Sequence, residues 1–297
     1  MGEKAGRGVS DGAKEAACCA WRFGVGEIGT LKRMKIVGLI LAMASVGAAQ
    51  WINYPTPGVP KNADGSPNLN GPAPRGADGK PDYSGVWLLE KNQPCPKDGC
   101  PDMEISKEFM NIGWSLPGGL PYQPWALELR KARMAENSKG DPGSNCRPTG
   151  LTKLTINPFY RKFLQLPGLV VILNERDSAY RQIFTDGRAL PVDPAPTPNG
   201  YSAGKWDGDT LVVQTIGISD GQWLDRNGDP LTDAAKLTEK FRRVNFGTME
   251  IEFTVDDPKA YTKPWTVKIR QFIAINTELM DYFCMENEKD IPHAVGK

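Results

Sequence analysis

The sequence predicts a mainly β, all-β-class chain closed into an antiparallel barrel of about ten strands, with one or two short helices and an extended N-terminal arm. Three observations carry that reading. Between residues 151 and 285, short apolar-rich runs recur, bounded by turn residues such as Pro167-Gly168, Asp207-Gly208 and Asn245-Phe246-Gly247. In one run, Met249, Ile251, Phe253 and Val255 interleave with Glu250, Glu252 and Thr254, the period of two of a strand with one wet face. No strand-like run alternates with a long amphipathic helix, as a βαβ sheet requires.

The first element is a targeting signal over 34–49. Arg33-Met34-Lys35 supplies positive charge, residues 36–47 an apolar core, and Ala48-Ala49-Gln50 a small-residue cleavage site. The core is shorter than the roughly 20 residues of a transmembrane helix. Cleavage after Ala49 is expected, with export to the periplasm or the extracellular space. Residues 1–33, Gly-rich and aperiodic, read as a translation start placed too far upstream, with a long n-region as the alternative. Residues 50–82 are rich in Pro, Gly, Asn and Asp and repeat Ala-Asp-Gly-x-Pro at 63–67 and 77–81. Such a segment buries too little apolar surface to order itself and is expected to be a disordered arm or tether.

Residues 83–297 are expected to form a single barrel domain. Its first strand is placed at 83–90, followed by helical candidates at 104–112 and 124–137. Strands at 160–166 and 169–174 flank Pro167-Gly168, and 179–185 ends in Asp186-Gly187, a favoured hairpin turn. Strands at 210–216, 237–244, 248–255, 265–275 and 279–285 complete the set.

Export places the cysteines in an oxidising compartment. Beyond the signal these are Cys95, Cys100, Cys146 and Cys284. The short Pro/Gly loop CPKDGC can close on itself, which favours Cys95–Cys100 and leaves Cys146–Cys284. A zinc site of the four thiolates competes, but no C-x2-C pair supports it. The 36 basic and 35 acidic residues, net +1, create no field for nucleic acid or an anionic membrane. No Walker A or dinucleotide glycine motif is present, and no cofactor is expected. His293 is the one histidine of the sequence, so no His cluster can ligate a metal. Asp225-Arg226-Asn227-Gly228-Asp229 resembles a calcium loop but has Gly228 at position 4 and Lys236 at position 12, and reads better as a turn.

Gly200-Tyr201-Ser202-Ala203-Gly204 matches G-x-S-x-G, and Asp256, Asp257 and His293 follow in Ser…Asp…His order. A nucleophile elbow, however, ends a strand and launches a helix. Here the pentapeptide follows the proline-rich stretch 191–198 and leads through Lys205-Trp206 to an Asp-Gly turn and another strand. Ser202 is therefore read as a hairpin residue.

The Gly85-Val86-Trp87 triplet opening the first strand resembles the start of lipocalin-like barrels, where the tryptophan plugs the closed end. A wider set, PDYSGVW (81–87), TDGRALP (185–191), KWDGDTLVV (205–213), WLD (223–225), TEKFRR (238–243), DDPKAYTKPWTV (256–267) and CMENEKD (284–290), resembles a large group of exported bacterial proteins of uncharacterised activity. The resemblance covers roughly 81–297. It implies an exported lipocalin-like barrel and brings no activity with it.

Polar residues on apolar strand faces mark candidate sites. Glu239 lies between Leu237 and Phe241, Gln271 between Ile269 and Ile273, and Asp281 between Leu279 and Phe283. Facing inward, Glu239 and Asp281 would be desolvated carboxylates suited to general acid–base work. The alternative is a structural ion pair, for Glu239 with Arg242, Arg243 or Arg181. Arg188, beyond the Asp186-Gly187 turn, and Arg181 could clamp an anionic ligand, or Asp186 could hold Arg188 in place. Tyr261 and Trp265 either stack on a ligand at the barrel mouth or cover the barrel end, as do Trp114, Trp206 and Trp223. Three functions stay open: a barrel binding a small, largely apolar molecule; a cofactor-free lyase, isomerase or hydrolase using Glu239 or Asp281; and a structural envelope protein. The sequence leaves the oligomeric state open.

Overall fold

The computed structural model describes residues 54–90, 111–282 and 284. Nine strands close into a barrel in the order β1-β11-β10-β9-β6-β5-β4-β3-β2. They are β1 (Gly85–Leu89), β2 (Arg161–Leu166), β3 (Leu169–Asn174), β4 (Tyr180–Phe184), β5 (Tyr201–Asp207), β6 (Thr210–Ile216), β9 (Lys236–Arg243), β10 (Thr248–Asp256) and β11 (Trp265–Ala274). β7 (Gln222–Trp223) and β8 (Pro230–Leu231) form a separate small ribbon. Two helices, α1 (Pro124–Ala135) and α2 (Leu151–Ile156), complete the described elements.

Alternation sets the inward face. Along β10, Met249, Ile251, Phe253 and Val255 are buried while their neighbours are half-buried, and β11 follows the same period. The long β9–β10–β11 ladders match inward position to inward position: Ile251 faces Phe241 and Ile269, and Phe253 faces Glu239 and Val267. Phe241, Phe253, Ile251, Ile269, Val213 and Ile183 expose at most 1% of their surface, so no water-sized void touches them. At this level the lumen is filled by the chain's own side chains.

The expectation of uniformly antiparallel strands is corrected at one seam. β4 and β5 run parallel and share just two residue pairs, Ile183 with Ser202 and Phe184 with Ala203. Asp186-Gly187 is therefore not a hairpin turn. It opens the long crossover 185–200 that a parallel pair requires. Residues 279–282, expected as a strand, form none, and Tyr282 makes an isolated parallel bridge to Arg176. The helix expected at 104–112 falls outside the described residues except for Asn111 and Ile112.

The arm over 54–82 is ordered where disorder was expected. Its repeats fold into two copies of one turn, bridged Lys61 to Pro67 and Arg75 to Pro81. In each, an aspartate accepts from the backbone two residues on, Asp64 from Ser66 and Asp78 from Lys80. Gly65 and Gly79 take φ +82° and +74°, which a side chain rarely tolerates. Turn chemistry and clips to the barrel replace core burial: Arg75 pairs with both oxygens of Asp209, and Gly71 and Leu69 carbonyls accept from Phe246 and Gly247.

The arm leads to the barrel's closed end. Tyr83 stacks on Trp206 at 5.5 Å and donates to the Phe241 carbonyl at 2.6 Å. Trp87 is fully buried, donates to the Tyr83 carbonyl, and carries the Arg243 guanidinium 4.8 Å from its ring centroid.

The opposite end, where β2 begins, is met by α2. All six of its residues are buried, and the Thr155 carbonyl accepts from Gln271 inside the barrel at 3.2 Å. Cys146 and Cys284 form the disulfide expected of them, with Cα atoms 5.5 Å apart. Cys95 and Cys100 lie outside the described residues. Among the described residues no helix is long and apolar enough to cross a membrane.

The Cys146–Cys284 bridge spans 138 residues and so constrains the unfolded chain strongly. Reducing it is expected to lower unfolding stability by about 2–5 kcal/mol in urea titrations with and without dithiothreitol. Equal midpoints and slopes would show that the bridge contributes nothing.

Candidate functional site

Of the inward polar residues, Glu239 and Arg181 meet in the interior. Glu239 on β9 is fully buried and Arg181 on β4 is 6% exposed. Arg181 donates to both Glu239 oxygens, through Nη1 at 3.1 Å and through Nη2. It also donates through Nε to Ser202 on β5 at 3.1 Å and through Nη2 to Thr215 on β6 at 3.0 Å. The Ser202 and Thr215 hydroxyls lie 2.9 Å apart. Burial with full pairing is the ion-pair arrangement rather than a free base. Ser202 has arginine and threonine as partners, so the serine-hydrolase reading finds no support in the described residues. His293 lies outside them.

Gln271 points into the barrel as expected, with its amide on Thr155 and its Oε1 buried without a partner among the described residues. Asp281 does not. It is exposed beyond the end of β11 and lies in no strand, so the expected inward carboxylate is not there; Phe283 lies outside the described residues. Arg188 is exposed and held by both oxygens of Asp186, and its guanidinium lies 3.9 Å from the Phe184 ring centroid. Tyr261 and Trp265 are buried edge to face at 5.5 Å, and Tyr261 donates to the Pro230 carbonyl, so both cover the barrel end. Neither is presented to a ligand at a mouth.

The parallel seam leaves a cleft of about 530 Å³. Tyr180, Gln182, Phe184, Pro198, Asn199 and Tyr201 line it, and the buried residues Arg181 and Ser202 border it. Tyr180 is 64% exposed, and Phe184 and Tyr201 stack at 5.2 Å. A second cavity of about 300 Å³ under the disulfide shares Pro148, Ala179 and Asn199 with the first. Sequence reasoning missed this cleft because it depends on which strands are parallel.

A separate acidic pair lies at the loop between β7 and β8. Asp225 and Asp229 are buried, and Asp225 accepts from the backbone of Asn227 and Ile112. Asp229 pairs with Arg130 at 3.0 Å and accepts from Tyr122 at 2.6 Å. Burial first, and then the neighbouring Asp229 charge, raise Asp225 well above the usual carboxylate range.

No protein-family model matches the chain, and no curated protein matches it in sequence.

Two outcomes are expected. Glu239→Gln strands the Arg181 charge and is expected to cost about 3–5 kcal/mol, while the Arg181→Met/Glu239→Leu double variant costs far less. Urea unfolding of both checks this, and equal losses would contradict it. The raised folded-state Asp225 stabilises the protein below the ordinary carboxylate pKa, and that stability is lost as pH rises through its folded value. Asp225→Asn is expected to flatten the decline in melting temperature above pH 4. An unchanged slope would mean that the carboxyl does not govern it.

Proposed function

We propose that the chain is an exported small-molecule-binding barrel whose ligand docks in the β4–β5 cleft, not in the filled lumen. The ligand class is a planar organic molecule with a polar edge. One observation carries the reading: the aromatic residues Tyr180, Phe184 and Tyr201 and the polar residues Gln182 and Asn199 line one cleft. Its volume falls within the roughly 300–1,000 Å³ of small-molecule sites, and a few polar groups on aromatic walls are their usual composition. Aromatic faces attract planar rings by offset stacking. Export rests on the signal pattern over 34–49, in keeping with the resemblance to exported barrels. Simple binding is favoured over catalysis because Glu239 is fully buried and paired through both oxygens with Arg181, the arrangement of a structural ion pair.

Native mass spectrometry of protein taken from its own host's envelope is expected to show a retained organic ligand. Tyr180→Ala is expected to weaken that ligand about 2–10-fold, the range for one aromatic contact, without lowering the melting temperature. Retention undiminished in both Tyr180→Ala and Tyr201→Ala would place the ligand elsewhere and overturn the reading.

A further inference from the structure

Arg161 begins β2 and faces inward with Phe163, being 4% exposed. The other two inward guanidinium groups are well occupied. Arg181 is taken by Glu239, Ser202 and Thr215, and Arg243 donates to the carbonyls of Phe246, Asp82 and Ser84. Arg161 differs. Its Nε and Nη2 are buried and have no hydrogen-bond acceptor among the described residues. The Phe163 ring, 5.2 Å away, offers a face but no lone pair. Glu239 attracts it from a distance while both carboxylate oxygens are already held by Arg181.

Which nitrogens are vacant matters. Nε–H and Nη2–H lie on one edge of the guanidinium and point the same way, which is the edge that takes two oxygens of an oxyanion side by side. Directly across the β2–β3 ladder is Asn174, whose Nδ2 donates to the Ala179 carbonyl and whose Oδ1 is buried and unpartnered. The same region thus offers a vacant two-donor edge and a vacant acceptor. An interior cation of this kind is costly unless an anion accompanies it. Burial pushes Arg161 down to about 9, which still leaves it charged at neutral pH.

We propose that Arg161 and Asn174 form an enclosed site for a compact oxyanion that carries its own O–H donor beside the charge. Two oxygens of the anion accept from Arg161 Nε and Nη2, and its hydroxyl donates to Asn174 Oδ1. Bicarbonate and the head group of a 2-hydroxycarboxylate share this chemistry. The site is independent of the β4–β5 cleft.

The test is the melting temperature and calorimetric titration of the full chain at constant ionic strength, with sodium bicarbonate, glycolate, acetate and chloride as probes. A saturable rise with bicarbonate alone assigns the inorganic ion. A rise with glycolate assigns the hydroxy acid, with acetate at least tenfold weaker. Asn174→Ala is expected to bring glycolate down to the level of acetate, and Arg161→Met to abolish both responses. If Arg161→Met does not fold, Arg161→Lys keeps the charge without the planar edge and is expected to lose binding at least tenfold. Tyr180→Ala leaves the response intact, which separates this site from the cleft. Absence of any saturable shift with bicarbonate and glycolate, or a shift that survives loss of the Arg161 guanidinium, overturns the proposal.

Discussion

The barrel depends on Arg181 because its closure is thinnest where Arg181 sits. Every other neighbouring pair in the ring is antiparallel, and β9–β10 and β10–β11 are each held over eight residue pairs, whereas β4 and β5 share two. From β4, Arg181 reaches over that seam to Ser202 on β5, Thr215 on β6 and Glu239 on β9. One side chain therefore ties four strands together from the inside. A buried ion pair is ordinarily weak evidence for stability, since apolar replacements pack as well. Its use here is geometric: the planar guanidinium fixes the separation of strands that the ladder alone holds loosely.

Much of this architecture was legible in the sequence and the seam was not. Hairpins are local, and turn residues with alternating flanks placed β2, β3, β6, β9, β10 and β11 to within a residue or so of their observed ends. The same local rules misread Asp186-Gly187, since no nearby residue reports that the next strand pairs in parallel after a crossover. Glu239 and Gln271 were readable as inward because each lies within a long, unbroken alternation on a paired strand. Asp281 looked alike over three positions, but no ladder extends to it. The α2 segment, Leu151-Thr152-Lys153-Leu154-Thr155-Ile156, is too short and too polar for its pattern to announce a helix, and all six residues are buried by tertiary packing.

The pentapeptide 200–204 shows how a catalytic signature arises from packing. Gly200 has φ +61°, and a Cβ there would meet the Ile216 carbonyl at 2.7 Å. Gly204 sits where a Cβ would press on Ile183 and Leu211 at 3.1 Å. Ser202, between them, is small enough to face inward and polar enough to accept from Arg181. Two close approaches and one buried hydroxyl thus dictate Gly-x-Ser-x-Gly on a strand that follows a left-handed turn.

The three inward arginines show how polarity is distributed along the lumen. Arg243 at the closed end is neutralised by carbonyl dipoles and covers Trp87, so it serves as part of the stopper. Arg181 is neutralised by a carboxylate and serves as a tie. Both arginines have been given acceptors by the fold, Arg243 backbone carbonyls near the start of β1 and in the β9–β10 turn, and Arg181 side-chain oxygens within β5, β6 and β9. Arg161 lies near the same polar layer as Arg181, yet the described chain brings no acceptor to its two-donor edge. Among the described residues, two interior guanidinium groups are satisfied this fully while the third stays open beside an equally open Asn174 oxygen, and an interior cation so placed is the costliest of the three to bury.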